Sequence, residues 1–413
     1  MSKLEELIKK LCPNGVEYKA LGEICEVKGR IGFRGYKRED QVERGYGAIS
    51  LSPSNITEIG LDYANCTYVN WDKYEESPEI KVNNGDIIFC KTASVGKTSI
   101  VSNLPEKATI NPQLVLIKNI RCNPKFLHYI LKTDEFQAKV YKIKGLGTIP
   151  TISQADFVKL TIPVPPMEVQ CEIARILDNF TELTAELTAE LTARKKQYEY
   201  YRDELLTFDD SVPMVKLGDM AVVTKLAGFE FTKYVNYSNK GNIIALRGLN
   251  VKNGSLDLTD VKYIDNSDLS KLSRSKLNIG DMLFTYVGTI GQVALVDIKD
   301  KYYLAPNVAL IRSTKEQLLP EYMKYYFQSS IFGNTQINRL LQSSSMKNIP
   351  MEKIRKFEIP LPSLEKQERI VSILDRFDKL CNDISVGLPA EIEARKKQYE
   401  YYRDKLLTFK EAI

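Results

Sequence analysis

Apolar residues recur at alternating spacings of four and three positions in two long stretches of the chain. This spacing is typical of the seam of a coiled coil and predicts long helices. Pro165 and Pro166 end the segment before the first stretch, so we expect a helix over about residues 168–206. At about 1.5 Å per residue it is a rod of roughly 58 Å. Its seam residues are Ile173, Leu177, Phe180, Leu187, Leu191, Tyr198, Tyr201 and Leu205.

The second stretch repeats this pattern, but Gly387 and Pro389 predict a break or kink near its middle. Its seam residues are Ile370, Leu374, Phe377, Ile384, Tyr399, Tyr402 and Leu406. A seam on one helix needs a partner, and the other stretch is the nearest self-complementary one. We therefore expect the two helices to pair as an antiparallel coiled coil.

An internal repeat sets the organisation of the chain. The sequence RKKQYEYYRDELLTF at 194–208 recurs as RKKQYEYYRDKLLTF at 395–409, with Glu204 against Lys405 as the one difference. A second matched block, IPVPPMEVQ from Ile162 and IPLPSLEKQ from Ile359, precedes each copy. The chain is thus two half-molecules in tandem. We expect globular domains at 1–160 and 211–357 and helical connectors at 161–210 and 358–413.

The globular segments have mixed patterns. Short β-branched and apolar runs at 86–89, 113–118 and 308–312 predict strands between Gly, Asn and Pro turns. Longer periodic stretches at 124–140 and 320–331 predict helices. The fold class is therefore α+β, with two similar α+β domains separated by two long helices in a pseudo-two-fold tandem repeat.

Composition excludes several kinds of protein. The chain of 413 residues has no apolar run long enough for a membrane helix, and its N-terminus has no apolar core typical of a signal peptide. Its seven cysteines form no C-x-x-C pair, and His128 is the one histidine, so we expect no metal site and no cofactor. No pair of residues stands out as a catalytic acid and base. We expect a cytoplasmic protein that is not an enzyme.

Charge is divided unevenly along the chain. The two globular segments have net charges of +4 and +8, whereas the connectors have −6 and −1. Basic domains flanking acidic rods are expected if the domains bind a polyanion and the rods bind protein. Two basic domains held at a fixed distance match the geometry of a reader of two half-sites on double-stranded DNA.

Loops that combine glycine with basic and hydroxyl side chains are the candidate DNA contacts, because such side chains bond phosphates and base edges. The segments after Phe89 and Phe284 recur at equivalent places in the two halves. The candidates in the first domain are Lys28, Arg30, Arg34, Lys37, Arg38, Lys91, Thr92, Ser94, Lys97 and Thr98. Those in the second domain are Arg247, Asn250, Lys252, Arg274, Lys276, Tyr286, Thr289, Gln292, Ser344 and Lys347.

The order of domain, I-P-x-P-P/S-x-E-x-Q connector, second domain and second connector resembles the specificity subunit of type I restriction–modification enzymes. The resemblance covers essentially the whole chain. The segments typical of that family are the opening LEELIKKLCPNGVEYKALGEI, NNGDIIFCKTASVGKTSIV from Asn83, GLGTIPTIS from Gly145 and LEKQERIVSILDRFDKL from Leu364.

The resemblance implies that the two globular segments are target-recognition domains, each reading one half of a split DNA sequence. It further implies that the rods space these domains and dock two modification subunits, which carry the S-adenosylmethionine site. Restriction subunits would add an ATP-driven translocase and nuclease. The first connector resembles family members with TAEL repeats, whereas the second lacks them.

Two other classes of protein are alternatives. One is a DNA-binding adaptor outside restriction, or a methyltransferase fused to its reader. Fusion is disfavoured because Asn111-Pro112 lacks the second proline and the aromatic residue of the adenine methyltransferase element, and no F-x-G-x-G loop occurs. The other is a coiled-coil scaffold without a DNA role, which does not explain basic domains flanking acidic rods.

The TAEL repeat predicts that the length of the first connector helix sets the distance between the two half-sites. Deleting residues 184–187 shortens a continuous helix by roughly 6 Å and turns its far end by about 40°. DNA turns by roughly 35° and rises by about 3.4 Å per base pair. We expect the deletion to leave both half-sites unchanged and to shorten the nonspecific spacer between them by one base pair, as mapping of methylated sites would show.

Deletions of two or three residues at the same place are the matched comparison. They turn one domain by roughly 160° or 60° away from its groove, so we expect them to abolish activity. An unchanged spacer in the four-residue variant, or altered half-sites, would show that the helix does not set the distance.

Overall fold

The computed structural model describes residues 3–31, 35, 37–145, 149–226, 228–342, 348–383 and 386–412. The chain divides into two compact units, residues 1–189 with 391–413 and residues 190–390. The helices are α1 (Lys3–Leu11), α2 (Leu21–Ile24), α3 (Trp71–Glu75), α4 (Pro124–Leu131), α5 (Asp134–Ile143), α6 (Gln154–Phe157), α7 (Met167–Leu205), α8 (Leu217–Met220), α9 (Gly228–Tyr234), α10 (Pro320–Gln328), α11 (Ser330–Phe332), α12 (Asn338–Gln342), α13 (Met351–Arg355), α14 (Leu364–Asn382) and α15 (Leu388–Leu406).

The strands of the first unit form two four-stranded sheets and two small pairs. One sheet has the antiparallel order β2-β11-β8-β9, and the other has the order β10-β4-β7-β3, in which β10 and β4 are parallel. The strands are β1 (Tyr18–Ala20), β2 (Glu26–Gly29), β3 (Gln41–Val42), β4 (Gly47–Leu51), β5 (Ile56–Thr57), β6 (Gly60–Leu61), β7 (Thr67–Asn70), β8 (Ile87–Cys90), β9 (Thr98–Ile100), β10 (Ala108–Ile110), β11 (Leu114–Lys118) and β12 (Thr161–Pro163).

The described residues of the second unit form a similar arrangement, with one four-stranded and one three-stranded sheet. Its sheets have the orders β14-β22-β19-β20 and β18-β15-β21, and β15 and β21 are parallel. Its strands are β13 (Met214–Lys216), β14 (Ala221–Lys225), β15 (Ile244–Leu246), β16 (Val251–Lys252), β17 (Ser255–Leu256), β18 (Lys262–Tyr263), β19 (Met282–Thr285), β20 (Val293–Leu295), β21 (Tyr302–Leu304), β22 (Val308–Ser313) and β23 (Glu358–Pro360). The α+β prediction is confirmed.

The surroundings of strand β11 explain why its sequence is an unbroken apolar run. Alternate side chains point to opposite faces of a strand. Val115 and Ile117 pack against the helices, whereas Leu114 and Leu116 pack against the second sheet. Both faces are buried, so the polar alternation of a half-exposed strand is absent.

Two predicted helices are each broken by a capping residue. The predicted helix over 124–140 is wrong as one element, because α4 ends at Leu131 and α5 begins at Asp134. Thr133 accepts a hydrogen bond from the Phe136 N–H at 3.3 Å and so caps α5. Ser329 separates α10 from α11 in the same way, with the Phe332 N–H at 3.2 Å.

The connector helices agree closely with the sequence. Helix α7 spans residues 167–205, against the predicted 168–206. The predicted break in the second connector falls between Asn382 and Leu388, and Pro389 lies in the first turn of α15. Ile384 lies outside the described residues.

The start of one connector helix and the end of another meet in each unit. In the first unit, Leu177 of α7 and Leu407 after α15 lie in the same core, and the Phe180 and Tyr402 rings stack at 5.5 Å. Because α7 begins at the domain and α15 ends at it, the two segments run in opposite directions. In the second unit, Tyr201 and Phe377 make the equivalent contact at 5.8 Å.

The seam residues differ in their surroundings. Ile173 and Leu177 are buried in the core of the first unit, and Ile370 and Leu374 in that of the second, together with sheet residues. Tyr198 is also buried, whereas Leu187 is half-buried. The partly buried Leu191, Leu205, Tyr399 and Leu406 pack against these cores.

The glutamine of the connector motif bridges two backbone segments. Gln170 accepts a hydrogen bond from the Asn123 N–H at 2.8 Å and donates one to the Pro165 carbonyl at 2.7 Å. Gln367 accepts from the Leu319 N–H at 3.0 Å and donates to the Pro362 carbonyl at 2.9 Å. Each amide therefore satisfies the N–H of the residue that precedes α4 or α10.

We expect Gln367→Leu to lower the free energy of unfolding by about 1–3 kcal/mol, because it removes the partner of the part-buried Leu319 N–H and of the buried Pro362 carbonyl. Denaturant unfolding of the full chain measures the change. The exposed neighbour Glu368→Leu is the matched control, with an expected change below about 0.5 kcal/mol. Equal stability of the two variants would show that the amide bridge is dispensable.

Candidate nucleic-acid interface

Two equivalent loops follow the buried strands β8 and β19. In the first loop, Ala93 and Gly96 have φ of 66° and 97°, and in the second loop Gly288 and Gly291 have φ of 77° and 92°. These left-handed conformations fall at matching positions, so the two loops share a backbone course. Ala93 has a Cβ, so this conformation costs free energy there. It persists because surrounding contacts fix it.

A second segment anchors each loop. Ala93 donates its N–H to the Pro150 carbonyl at 2.9 Å, and Ile152 donates to the Lys91 carbonyl at 2.9 Å. In the second domain, Ile349 donates to the Tyr286 carbonyl at 3.0 Å. Each loop is therefore tied by backbone hydrogen bonds to a segment more than 50 residues further along the chain.

A turn follows β4, and its counterpart follows β15 and lies beside the second loop. Asn55 accepts from the Ser52 N–H at 2.9 Å and donates to the carbonyls of Asp62 and Asn65 at 3.1 and 3.2 Å. Asn250 accepts from the Arg247 N–H at 3.0 Å and donates to the carbonyls of Asp257 and Asp260, both at 2.8 Å. The same side chain organises both turns.

A cavity of about 840 Å³ opens between these elements in the second domain. Its walls are the turn at 247–253, the loop at 285–292 and the strand entry at 305–307. It brings together four predicted residues, which are Arg247, Lys252, Thr289 and Gln292.

The cavity residues that the sequence analysis missed include Tyr237, Asn253 and Asn307. Asn307 aligns with Gln113 when β22 is matched to β11, and each directly precedes a buried strand. That match was the available signal.

Four predicted contacts are buried, which corrects their assignment to the surface. Arg30 donates to the Ile110 carbonyl at 3.2 Å and to Thr109 Oγ1 at 3.1 Å. Thr98 donates to the Ile88 carbonyl at 2.9 Å. Asn250 organises its turn, and Tyr286 is only 8% exposed, which raises the pKa of its hydroxyl. These side chains hold the loops instead of facing solvent.

Several predicted lysines have local carboxylate partners. Lys252 pairs with Asp257 at 2.6 Å, and Lys276 pairs with Asp300 at 2.7 Å. The hydrogen bond from Lys252 holds the pKa of Asp257 well below its usual range. Lys28 and Lys37 pair with Glu26 and Glu39 at 3.2 and 3.5 Å.

The other predicted residues are exposed or half-buried. Burial lowers the pKa of Lys91, which is half-buried like Thr92. Lys97 and Arg274 are exposed and form no ion pair with another described residue. Arg38, Ser94 and Thr289 are also exposed. Arg34, Ser344 and Lys347 lie outside the described residues.

Within the described ranges, no group of three or more His, Cys, Asp and Glu side chains is placed to hold a metal ion. No described helix is both long and apolar enough to cross a membrane.

The chain matches a known protein family over most of its length. Residues 13–194 and 210–394 match the family described as type I restriction modification DNA specificity domain. A putative type I restriction enzyme specificity subunit of Haemophilus influenzae is 33% identical over 70% of this chain and 73% of its own length. The EcoR124I/EcoR124II specificity subunit of Escherichia coli is 34% identical over 69% of this chain and 70% of its own.

One solved structure, described as showing complex assembly and conformational transition of the type I R-M system, has a similar fold. It covers 96% of this chain and 98% of its own, with a TM-score of 0.63 at 15% sequence identity. At this level of identity, the similarity concerns the fold.

We expect Lys97→Gln to reduce the salt dependence of DNA binding. Each lost phosphate contact lowers the slope of log K against log salt by about 0.9. The variant carries the residue that the second domain has at the equivalent position, so the loop should keep its course. Filter binding at several salt concentrations measures the slope.

Lys107→Gln is the matched control for this experiment. Lys107 is also an exposed lysine, but it precedes β10 and so lies at the opposite end of that strand from the candidate loops. A slope that changes equally in both variants would mean that the loop has no particular role in phosphate contact.

Proposed function

This chain belongs to the family of type I restriction–modification DNA specificity subunits, and we propose that residues 1–160 and 211–357 are its two target-recognition domains. Members of this family are the non-catalytic DNA-recognition component of the enzyme complex. Each domain would read one half of a bipartite sequence in double-stranded DNA. We place the protein in the cytoplasm, where that DNA is accessible.

One observation carries this proposal. The two domains present the same pair of elements, an anchored loop and an asparagine-organised turn, with different side chains at matching positions. Lys97 corresponds to Gln292, and Ser52 corresponds to Arg247. A shared framework with different side chains is what two readers of different sequences need, because base edges are distinguished by their donors and acceptors.

The partners would be modification subunits, two of them. Packing explains why inward residues of the repeated helix segment are identical in both copies, but it does not explain identity at exposed positions. Lys196, Glu199 and Tyr200 lie on one exposed helix face, and Tyr200 is 64% exposed. In the second copy, Tyr401 is 60% exposed beside Lys397 and Glu400.

Two identical exposed faces on one chain fit two copies of one partner. Restriction subunits would join the assembly that these modification subunits form. The acidic first connector and the basic domains are consistent with separate protein and DNA partners.

The purified chain is expected to transfer no methyl group to DNA from labelled S-adenosylmethionine, whereas its mixture with the modification subunit should methylate a bipartite sequence. Replacing residues 1–160 by those of a relative should change one half of that sequence. The unmodified complex is the control. Methyl transfer by the chain alone, or a change in both halves, would contradict the proposal.

A further inference from the structure

The cavity in the second domain contains an arginine whose position is fixed. Arg247 Nη2 donates to the Asp260 carbonyl at 2.8 Å and to Asp260 Oδ1 at 3.1 Å. Its Nε is buried and has no hydrogen-bond partner among the described residues. The side chain is 23% exposed, so the surrounding turn restrains it. Such a guanidinium reaches a ligand with little loss of rotamer entropy.

A glutamine on the facing loop is oriented in a similar way. Gln292 Oε1 accepts a hydrogen bond from the Asn253 N–H at 3.0 Å. This bond engages one lone pair of the amide oxygen and leaves Nε2 as the free end of the amide. Among the described residues Nε2 has no partner. Gln292 therefore offers donors to the cavity, as Arg247 does.

No carboxylate lies among the described residues that line this cavity, and Lys252, which pairs with Asp257, has two further N–H donors. The lining is thus rich in donors. Of the four bases, guanine presents two acceptors, O6 and N7, side by side on its major-groove edge, whereas adenine presents an acceptor next to a donor. A pair of fixed donors is complementary to guanine.

The first domain supplies an internal comparison. Its turn and loop have the same framework, but Ser52 stands at the position of Arg247 and Lys97 at that of Gln292. Neither Arg247 nor Gln292 is therefore required to build the turn or the loop. The choice of residue at these two positions can therefore be set by recognition of DNA.

We propose that Arg247 and Gln292 are specificity-determining residues that read a guanine in the half-site of the second domain. Asp260 positions Arg247, and the backbone of Asn253 positions Gln292. This inference rests on the proposed function. The other source of a cavity ligand rich in acceptors is a DNA phosphate, and the experiment distinguishes the two.

The full chain is produced with its modification subunit in a host that has no other DNA methylation, and modified bases are mapped by sequencing. The variants are Arg247→Ala and Gln292→Ala. A good contact to one base discriminates by about 5- to 150-fold. We expect each variant to lose a guanine preference of this size at one position of the second half-site, with the first half-site unchanged.

Lys315→Ala is the matched control, because this exposed lysine follows β22 at the end opposite the cavity. It should leave the methylated sequence as in the unmodified chain. Gln292→Ala truncates a loop side chain and leaves the Arg247–Asp260 pair intact, so it tests the inference even if Arg247→Ala destabilises its turn.

An unchanged recognition sequence in both variants would overturn the inference. So would an equal loss of methylation at all sites, which indicates a phosphate contact, or a relaxed position that is not guanine. These results would leave the proposed function intact. An unmodified complex that methylates no bipartite sequence would instead overturn the proposed function, and this inference with it.

Discussion

The first domain completes its core with the last turns of the chain, and this closure is the constraint on which the rest of the unit depends. Leu407 is buried in the same core as residues of α1 and α7. Val16 donates its N–H to the Lys410 carbonyl at 2.8 Å. Buried apolar surface and a backbone hydrogen bond therefore join segments from opposite ends of the sequence.

The same closure occurs again in the second unit with the other copy of the repeat. Asp404 accepts a hydrogen bond from the Asp134 N–H at the start of α5, at 3.3 Å. Asp203 accepts one from the Ser330 N–H at the start of α11, at 3.0 Å. Carboxylates are favourable at helix N-termini. The inward residues of the two copies are identical because each copy docks in the same way on an equivalent domain.

The candidate interface has two kinds of position: residues that build the turns and loops, and residues that present different side chains in the two domains. Asn55 and Asn250 organise equivalent turns, and Gly96 and Gly291 have matching left-handed backbone conformations. Upon this framework, side chains of different hydrogen-bonding character take the same places in the two domains. One scaffold can therefore be used twice in a chain while the chemistry that it presents changes.

Periodicity and repetition in the sequence determined the α+β class, the two similar domains and the long helix, because these features depend on local spacing. The sequence also indicated the loops after Phe89 and Phe284. Tertiary structure alone decided that Arg30, Thr98, Asn250 and Tyr286 are buried and that Asn307 lines the cavity. It also divided the predicted helices at Thr133 and Ser329. Exposure and hydrogen-bond partners depend on contacts between residues distant in sequence, which spacing along one chain does not encode.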